Sequence, residues 1–278
     1  MSSGRRYVPR RMASPKVAFF GDSFVRLFGL LERPDVVVRG FKGASAKGLG
    51  RADNENGSSI TRYVTSPFSR GLERIVFSFG SVDVHLSFYY MKYVKGEDID
   101  LLSIANRYVD FVANLTTDPS VQKIVLGVYY SPLQDETVGP SLISYGSLTE
   151  EQSELVSGSK DAELRVRQER VRSFNEALRT RCEQRGITYD DINDEMSDAE
   201  TMQMKDLYRD VSNHNIHVVW ETTLILWVQK WKWFRDLTPP GFIQGLEDTL
   251  EEYLKTKPWA QTKHAAKQQE LKMLINNN

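Results

Sequence analysis

Cysteine is almost absent from this chain: Cys182 is the only one in 278 residues. That excludes an internal disulfide framework and any thiolate zinc cluster, and it fits a reducing compartment. Histidine is scarce as well, with four residues, so imidazole chemistry has few candidates. A charge bias is missing: 36 Lys and Arg stand against 37 Asp and Glu, for a net charge of −1. This balance supplies no global electrostatic reason to expect nucleic acid or an anionic membrane as a partner. No apolar run is long enough to span a bilayer, and the amino terminus lacks the charged-then-apolar pattern of a secretory leader. The expected compartment is therefore the cytosol. What is present is a 40% hydrophobic content, enough for a sizeable core in one large domain or two small ones.

Residues 1–15 carry Arg5, Arg6, Arg10 and Arg11, no acid, and Pro9 and Pro15, and read as a flexible basic arm. Organellar targeting by this arm is the alternative. Against it, the prolines interrupt the segment and its apolar residues share no helical face. From Lys16 the pattern becomes regular. The run Val17-Ala18-Phe19-Phe20 ends at Gly21, and Phe24, Leu27, Phe28 and Leu31 follow at helical spacing, which predicts strand, turn and helix. Val36-Val37-Val38 predicts a second strand, Arg74 to Phe79 a third ending at Gly80, and Lys123 to Tyr130 a fourth stopped by Ser131-Pro132. Helices are expected from Ile99 to Leu115 and from about Lys160 to Arg185, the latter ending at Gly186 before a short strand at Ile187-Thr188-Tyr189. Residues 133–160 show no period and read as a surface excursion without elements. Trp220, Leu224, Trp227, Trp231 and Phe234 make one stripe on a helix, which either packs on the sheet or receives a ligand or partner. A last helix is expected after Pro239-Pro240, with Leu246, Leu250 and Leu254 in register. The globular body is thus 16–257, followed by a polar tail, 258–278. The alternation of strands and helices predicts a doubly wound, mostly parallel sheet, with functional residues at the carboxyl ends of the strands.

Gly21-Asp22-Ser23 places a serine between a buried strand and a helix amino terminus, where free N–H groups can stabilise developing negative charge. A plain helix cap would look the same. A serine nucleophile needs a base, and His85, His214 and His217 fall at expected rim positions, whereas His264 lies in the polar tail. Asp210 lies close enough in sequence to orient one of the two late imidazoles. Asp83 and His85 follow the third strand, near Ser81, and also face the rim.

Together, Gly21-Asp22-Ser23, Gly43 after the second strand, Gly80-x-x-Asp83 after the third, and a late Asp/His segment resemble the four blocks of the SGNH (GDSL-like) hydrolases, over about Val17 to Leu254. The resemblance implies a flavodoxin-like three-layer α/β/α fold. In active members it implies metal-free ester or acyl hydrolysis or transfer. It would make Ser23 the nucleophile, His217 the base, and the N–H groups of Ser23 and Gly43 the oxyanion donors. The sequence departs from the pattern twice. Val82 stands where the family has an asparagine donor, leaving Ser81 or another group to substitute. His214 stands three residues before His217, where the family has aspartate.

The expected substrate is a small-molecule, carbohydrate or lipid ester, with no cofactor and no metal. A donor set of His214, His217, Asp83, His85 and Asp22 is the competing metal reading. The competing functional reading is a catalytically inactive SGNH-like domain that binds a protein through the aromatic segment or the termini. Lys42 and Lys47, beside the glycine loop, either attract an anionic substrate or simply face water.

Overall fold

The computed structural model describes residues 14–209 and 215–248. Five strands, β1 (Val17–Gly21), β2 (Val36–Gly40), β3 (Arg74–Ser78), β4 (Gln122–Leu126) and β5 (Thr188–Asp190), form one sheet in the order β2-β1-β3-β4-β5. All four pairings are parallel. This is the flavodoxin-like order of a doubly wound sheet, with its switch point at β1 and β3. Helices cover both faces, giving the expected three layers.

Alternation along β1 sends Phe19 to one face and Phe20 to the other. Phe19 stacks on Phe28 at 4.2 Å and meets Phe234 edge-on, while Phe20 packs with Phe77 and Tyr63. On the Phe19 side, the 3-10 helix Ser23–Leu31 packs with the helix Trp220–Lys230. The helices Leu101–Asn114 and Leu164–Arg185 pack against each other elsewhere in the fold. The lone Cys182 is fully buried in the second of these, and burial pushes its thiol up to about 12.

Four residues of the aromatic stripe, Leu224, Trp227, Trp231 and Phe234, are buried in the core, whereas Trp220 at its start is only half-buried. It does not sit on one continuous helix. Trp231 is extended between Trp220–Lys230 and Lys232–Arg235, and its indole N–H donates to Asp190 at 2.7 Å. Residues 242–248 are helical and Leu246 is buried, whereas Leu250 and Leu254 lie outside the described residues, as do the arm up to residue 13 and the polar tail.

Two expectations need correction. The fourth strand stops at Leu126 rather than Tyr130, because side-chain amides take over its backbone bonds. Asn175 brackets the N–H and C=O of Val128, each at 2.8 Å, Asn193 accepts from the N–H of Tyr130, and Gln168 brackets Ser131. The excursion 133–160 is not devoid of elements. It holds the helices Asp135–Ser144, with Pro140 inside, and Glu150–Ser157, started by a Thr149/Gln152 capping box. Polar composition and an internal proline hid both from a reading by apolar period. The excursion is clamped by buried Arg167, which donates to Ala162 O, Ser131 Oγ, Leu133 O and Asp135.

Candidate active site

The first block is built by close approach. A Cβ on Gly21 would lie 2.4 Å from the carbonyl of Ser78 and 2.6 Å from Cβ of Val25, so only glycine lets the chain turn this sharply from β1 into a helix. Asp22 then caps that helix, its Oδ1 accepting from the N–H of Phe24 at 3.0 Å. Ser23 is the first residue of the helix, where its N–H has no acceptor within the helix.

Across 194 residues of sequence, His217 Nε2 lies 2.7 Å from Ser23 Oγ. The third member of this group is one the sequence reading missed. Asn215 forms an Asx turn, with its Oδ1 accepting from the backbone N–H of His217 at 3.0 Å. Because a backbone N–H only donates, that side-chain atom is the oxygen. The facing ring nitrogen Nδ1, 2.8 Å away, must then carry the proton. The lone pair is thereby left on Nε2, aimed at the serine hydroxyl. The Tyr145 hydroxyl donates to the same Asn215 oxygen at 2.9 Å and lies 3.2 Å from Nδ1. Phe24 stacks on the imidazole at 4.6 Å. Burial, and secondarily the Arg26 charge, hold His217 down to about 4, so the ring is neutral at physiological pH.

Ser23, His217 and Asn215 open into a cavity of about 360 Å³ whose wall also includes Gly43, Val82 and Tyr145. Gly43 has φ +72°, a left-handed conformation suited to glycine. A larger surface groove of about 690 Å³ is bordered by Leu102, Arg172 and Arg181, but no histidine lines it.

The remaining sequence candidates lie elsewhere. Asp83 is buried beneath the site, its carboxylate accepting from the N–H groups of Ala46 at 2.6 Å and Lys47 at 3.2 Å. It ties the loop bearing Gly43 to the end of β3, and burial pushes its carboxyl up to about 6. Asp22 is fully buried, one oxygen without a hydrogen bond, and burial pushes it up to about 7. Ser81 is buried and does not line the cavity. His85 is buried in a π-type turn, its Nε2 3.1 Å from the carbonyl of Tyr129, and burial depresses it to about 4. His214 and Asp210 lie outside the described residues. Among the described residues no three histidine, cysteine or acidic side chains converge as a metal site would require. No described helix is long and apolar enough to cross a membrane.

The first block thus ends β1, the glycine block follows β2, the third follows β3, and a late histidine closes onto the serine at the switch point. The fold is the three-layer α/β/α sandwich that the resemblance to the SGNH hydrolases implied. The sequence matches no family profile and no curated protein. Among solved structures, the chain is similar to a GDSL-like lipase from Bacteroides thetaiotaomicron, with 13% identity, coverage of 78% of this chain and 89% of that one, and a TM-score of 0.48. It is also similar to a protein described as a putative platelet activating factor from Streptococcus pneumonia, at 16% identity, 76% and 79% coverage and a TM-score of 0.47. An aryl esterase of M. smegmatis aligns at 12% identity, 80% and 99% coverage and a TM-score of 0.45.

Proposed function

We propose that this protein is a serine-dependent ester hydrolase or acyltransferase of SGNH type. The observation that carries the reading is the 2.7 Å contact between Ser23 Oγ and an imidazole whose other nitrogen is held as a donor by Asn215. His217 Nε2 takes the hydroxyl proton as Ser23 attacks the ester carbonyl. In this reading the N–H groups of Ser23 and Gly43 hold the developing oxyanion. Nε2–H then protonates the leaving alcohol. Water or an acceptor alcohol, deprotonated by the same nitrogen, attacks the acyl-serine and restores the hydroxyl. Val82 supplies no side-chain donor to this oxyanion, and one such donor is worth about 10²–10³ in rate, which makes a slow or highly selective enzyme the expected outcome.

The orienting group is neutral, so it fixes the imidazole tautomer without stabilising the imidazolium as a carboxylate does. Asn215→Asp places a negative charge beside Nδ1 and favours the charged ring. Activity needs the neutral ring and falls as pH drops through its pKa. The acid limb of kcat/KM is therefore expected near pH 4 in the natural protein and at higher pH in Asn215→Asp, with a faster rate at pH 8. Tyr145→Phe removes one donor to the same oxygen and is expected to cost only about fivefold, since a neutral hydrogen bond contributes about 1 kcal/mol. Full pH profiles of the three proteins check this, and an unmoved acid limb in Asn215→Asp would count against His217 as the base.

Labelling by a fluorophosphonate tests the reading without knowledge of the substrate. The natural protein is expected to label at Ser23, while Ser23→Ala and His217→Ala do not. A folded natural protein that fails to label would instead support the catalytically inactive binding module.

A further inference from the structure

The cavity beside Ser23 is electrically lopsided. Its charged wall residues among those described are Arg26 and Lys42, with no carboxylate, and neither cation forms an ion pair with a described residue. The sheet order places β2 and β3 on opposite sides of β1. Lys42 follows β2, and the Arg26 side chain lies over its last residue: a Cβ on Gly40 would meet Arg26 Cγ at 2.9 Å and Nε at 3.2 Å. Gly40 therefore gives the arginine a seat against the backbone, which removes part of the freedom an exposed arginine otherwise keeps. The β3 side of the wall is supplied by Val82 and Leu86, both apolar. Ser23, Arg26 and Lys42 all line this one cavity of about 360 Å³, so both cations lie within reach of a small substrate whose carbonyl sits over Ser23.

Building on the serine-esterase reading, we propose that the substrate is an ester carrying an anionic group, a carboxylate or a phosphate, a few bonds from the scissile carbonyl, held by Arg26 and Lys42 on the β2 side, with an apolar group toward Val82 and Leu86. A planar guanidinium pairs with either anion through two parallel N–H donors, and the lysine adds a point charge. The arrangement also acts on the base. The Arg26 charge disfavours a protonated His217, so an anion paired to Arg26 relieves that repulsion when the ring must accept the serine proton. A neutral ester leaves it in place.

The test uses two short-chain fluorophosphonates of equal length on the full-length protein, one ending in a carboxylate and the other in its methyl ester. In both, the Ser23 Oγ–P bond forms, fluoride leaves and the hydroxyl proton passes to Nε2, so the shared chemistry cancels in the ratio of labelling rates. A preference for the carboxylate of at least about tenfold is expected. It should collapse toward unity in Arg26→Gln and Lys42→Gln, and in 1 M salt, where charges are screened within about 3 Å. Gly40→Ala, which displaces Arg26, should reduce the preference too. A phosphate-ended probe compares the two anions, and faster labelling by it than by the methyl ester supports the same cationic subsite. Equal rates for charged and neutral probes, or a preference that survives Arg26→Gln with Lys42→Gln, would overturn the proposal while leaving Ser23 as the nucleophile. Failure of every probe to label the folded protein would overturn the esterase reading itself and this proposal with it.

Discussion

Ser23→Ala is expected to lower ester turnover by a factor on the order of 10⁶, and His217→Ala by a similar factor, while the double variant loses little more than either alone. The size follows from the chemistry. A serine hydroxyl is a poor nucleophile at neutral pH and becomes competent only when its proton has somewhere to go. On the proposed reading that destination is the His217 Nε2 atom 2.7 Å away. Residues that act as one unit are not additive, because removing either leaves the other without a task. What survives in both variants is the contribution of the cavity and its N–H donors. Measuring kcat for the three proteins on one activated ester, after confirming unchanged melting temperatures, tests the argument. Losses that multiplied in the double variant would show that serine and histidine act independently.

Asp22→Asn is expected to gain roughly 2–4 kcal/mol of stability relative to the natural protein between pH 4 and pH 8. Asp22 is fully buried with one unbonded oxygen. Burial, against the hydrogen bond from Phe24 and the weaker pull of the Ser81 N–H and hydroxyl, and with the nearby Asp83 adding repulsion, raises its pKa from 3.8 to about 7. Below pH 3.8 the carboxyl is protonated in both the folded and unfolded chains and costs nothing. As pH rises toward 7 the unfolded chain ionises freely while the folded one resists, so the contribution of this group to stability is lost across that window. Asparagine keeps an oxygen to accept from Phe24 N–H and carries no charge to bury. The difference between the two melting temperatures should therefore grow from pH 4 to pH 8. A difference that stays constant with pH would mean that ionisation of Asp22 is not what the folded state resists.

The parts of this molecule that were legible in its sequence share one property: their signal is local and repeated. Buried parallel strands announce themselves as Val17 to Phe20 and Arg74 to Phe79 do, as apolar runs closed by glycine. Helix Leu164–Arg185 ends at Gly186 because that residue adopts a left-handed conformation. Ser23, His217 and Gly43 converge on one cavity from blocks that lie at strand ends. The orienting group could not be read in the same way. Asn215 stands one residue away from the position at which an acid is expected, and its role depends on a side-chain turn onto His217 N–H. Asx geometry two residues before a histidine was the only trace it left. Tyr145 comes from a stretch with no apolar period, whose first helix is tied down by Arg167, far along the chain. Asp83 was placed at the rim by its position after β3, but it bonds downward to Ala46 and Lys47. Sequence spacing can put a residue at a strand end without saying which way its side chain points.

The chain beyond Leu126 has a consequence for how such a protein can diverge. Residues 128–131 hold their backbone bonds through Asn175, Asn193 and Gln168 rather than through a neighbouring strand. The segment that brings Tyr145 to the imidazole is therefore mounted on a bracket of side chains, outside the weave of the sheet. A mounted part can be lengthened, shortened or exchanged while the strands that seat the serine stay in register. In this architecture the Ser23 hydroxyl belongs to the frame, and one wall of its chamber belongs to a replaceable attachment.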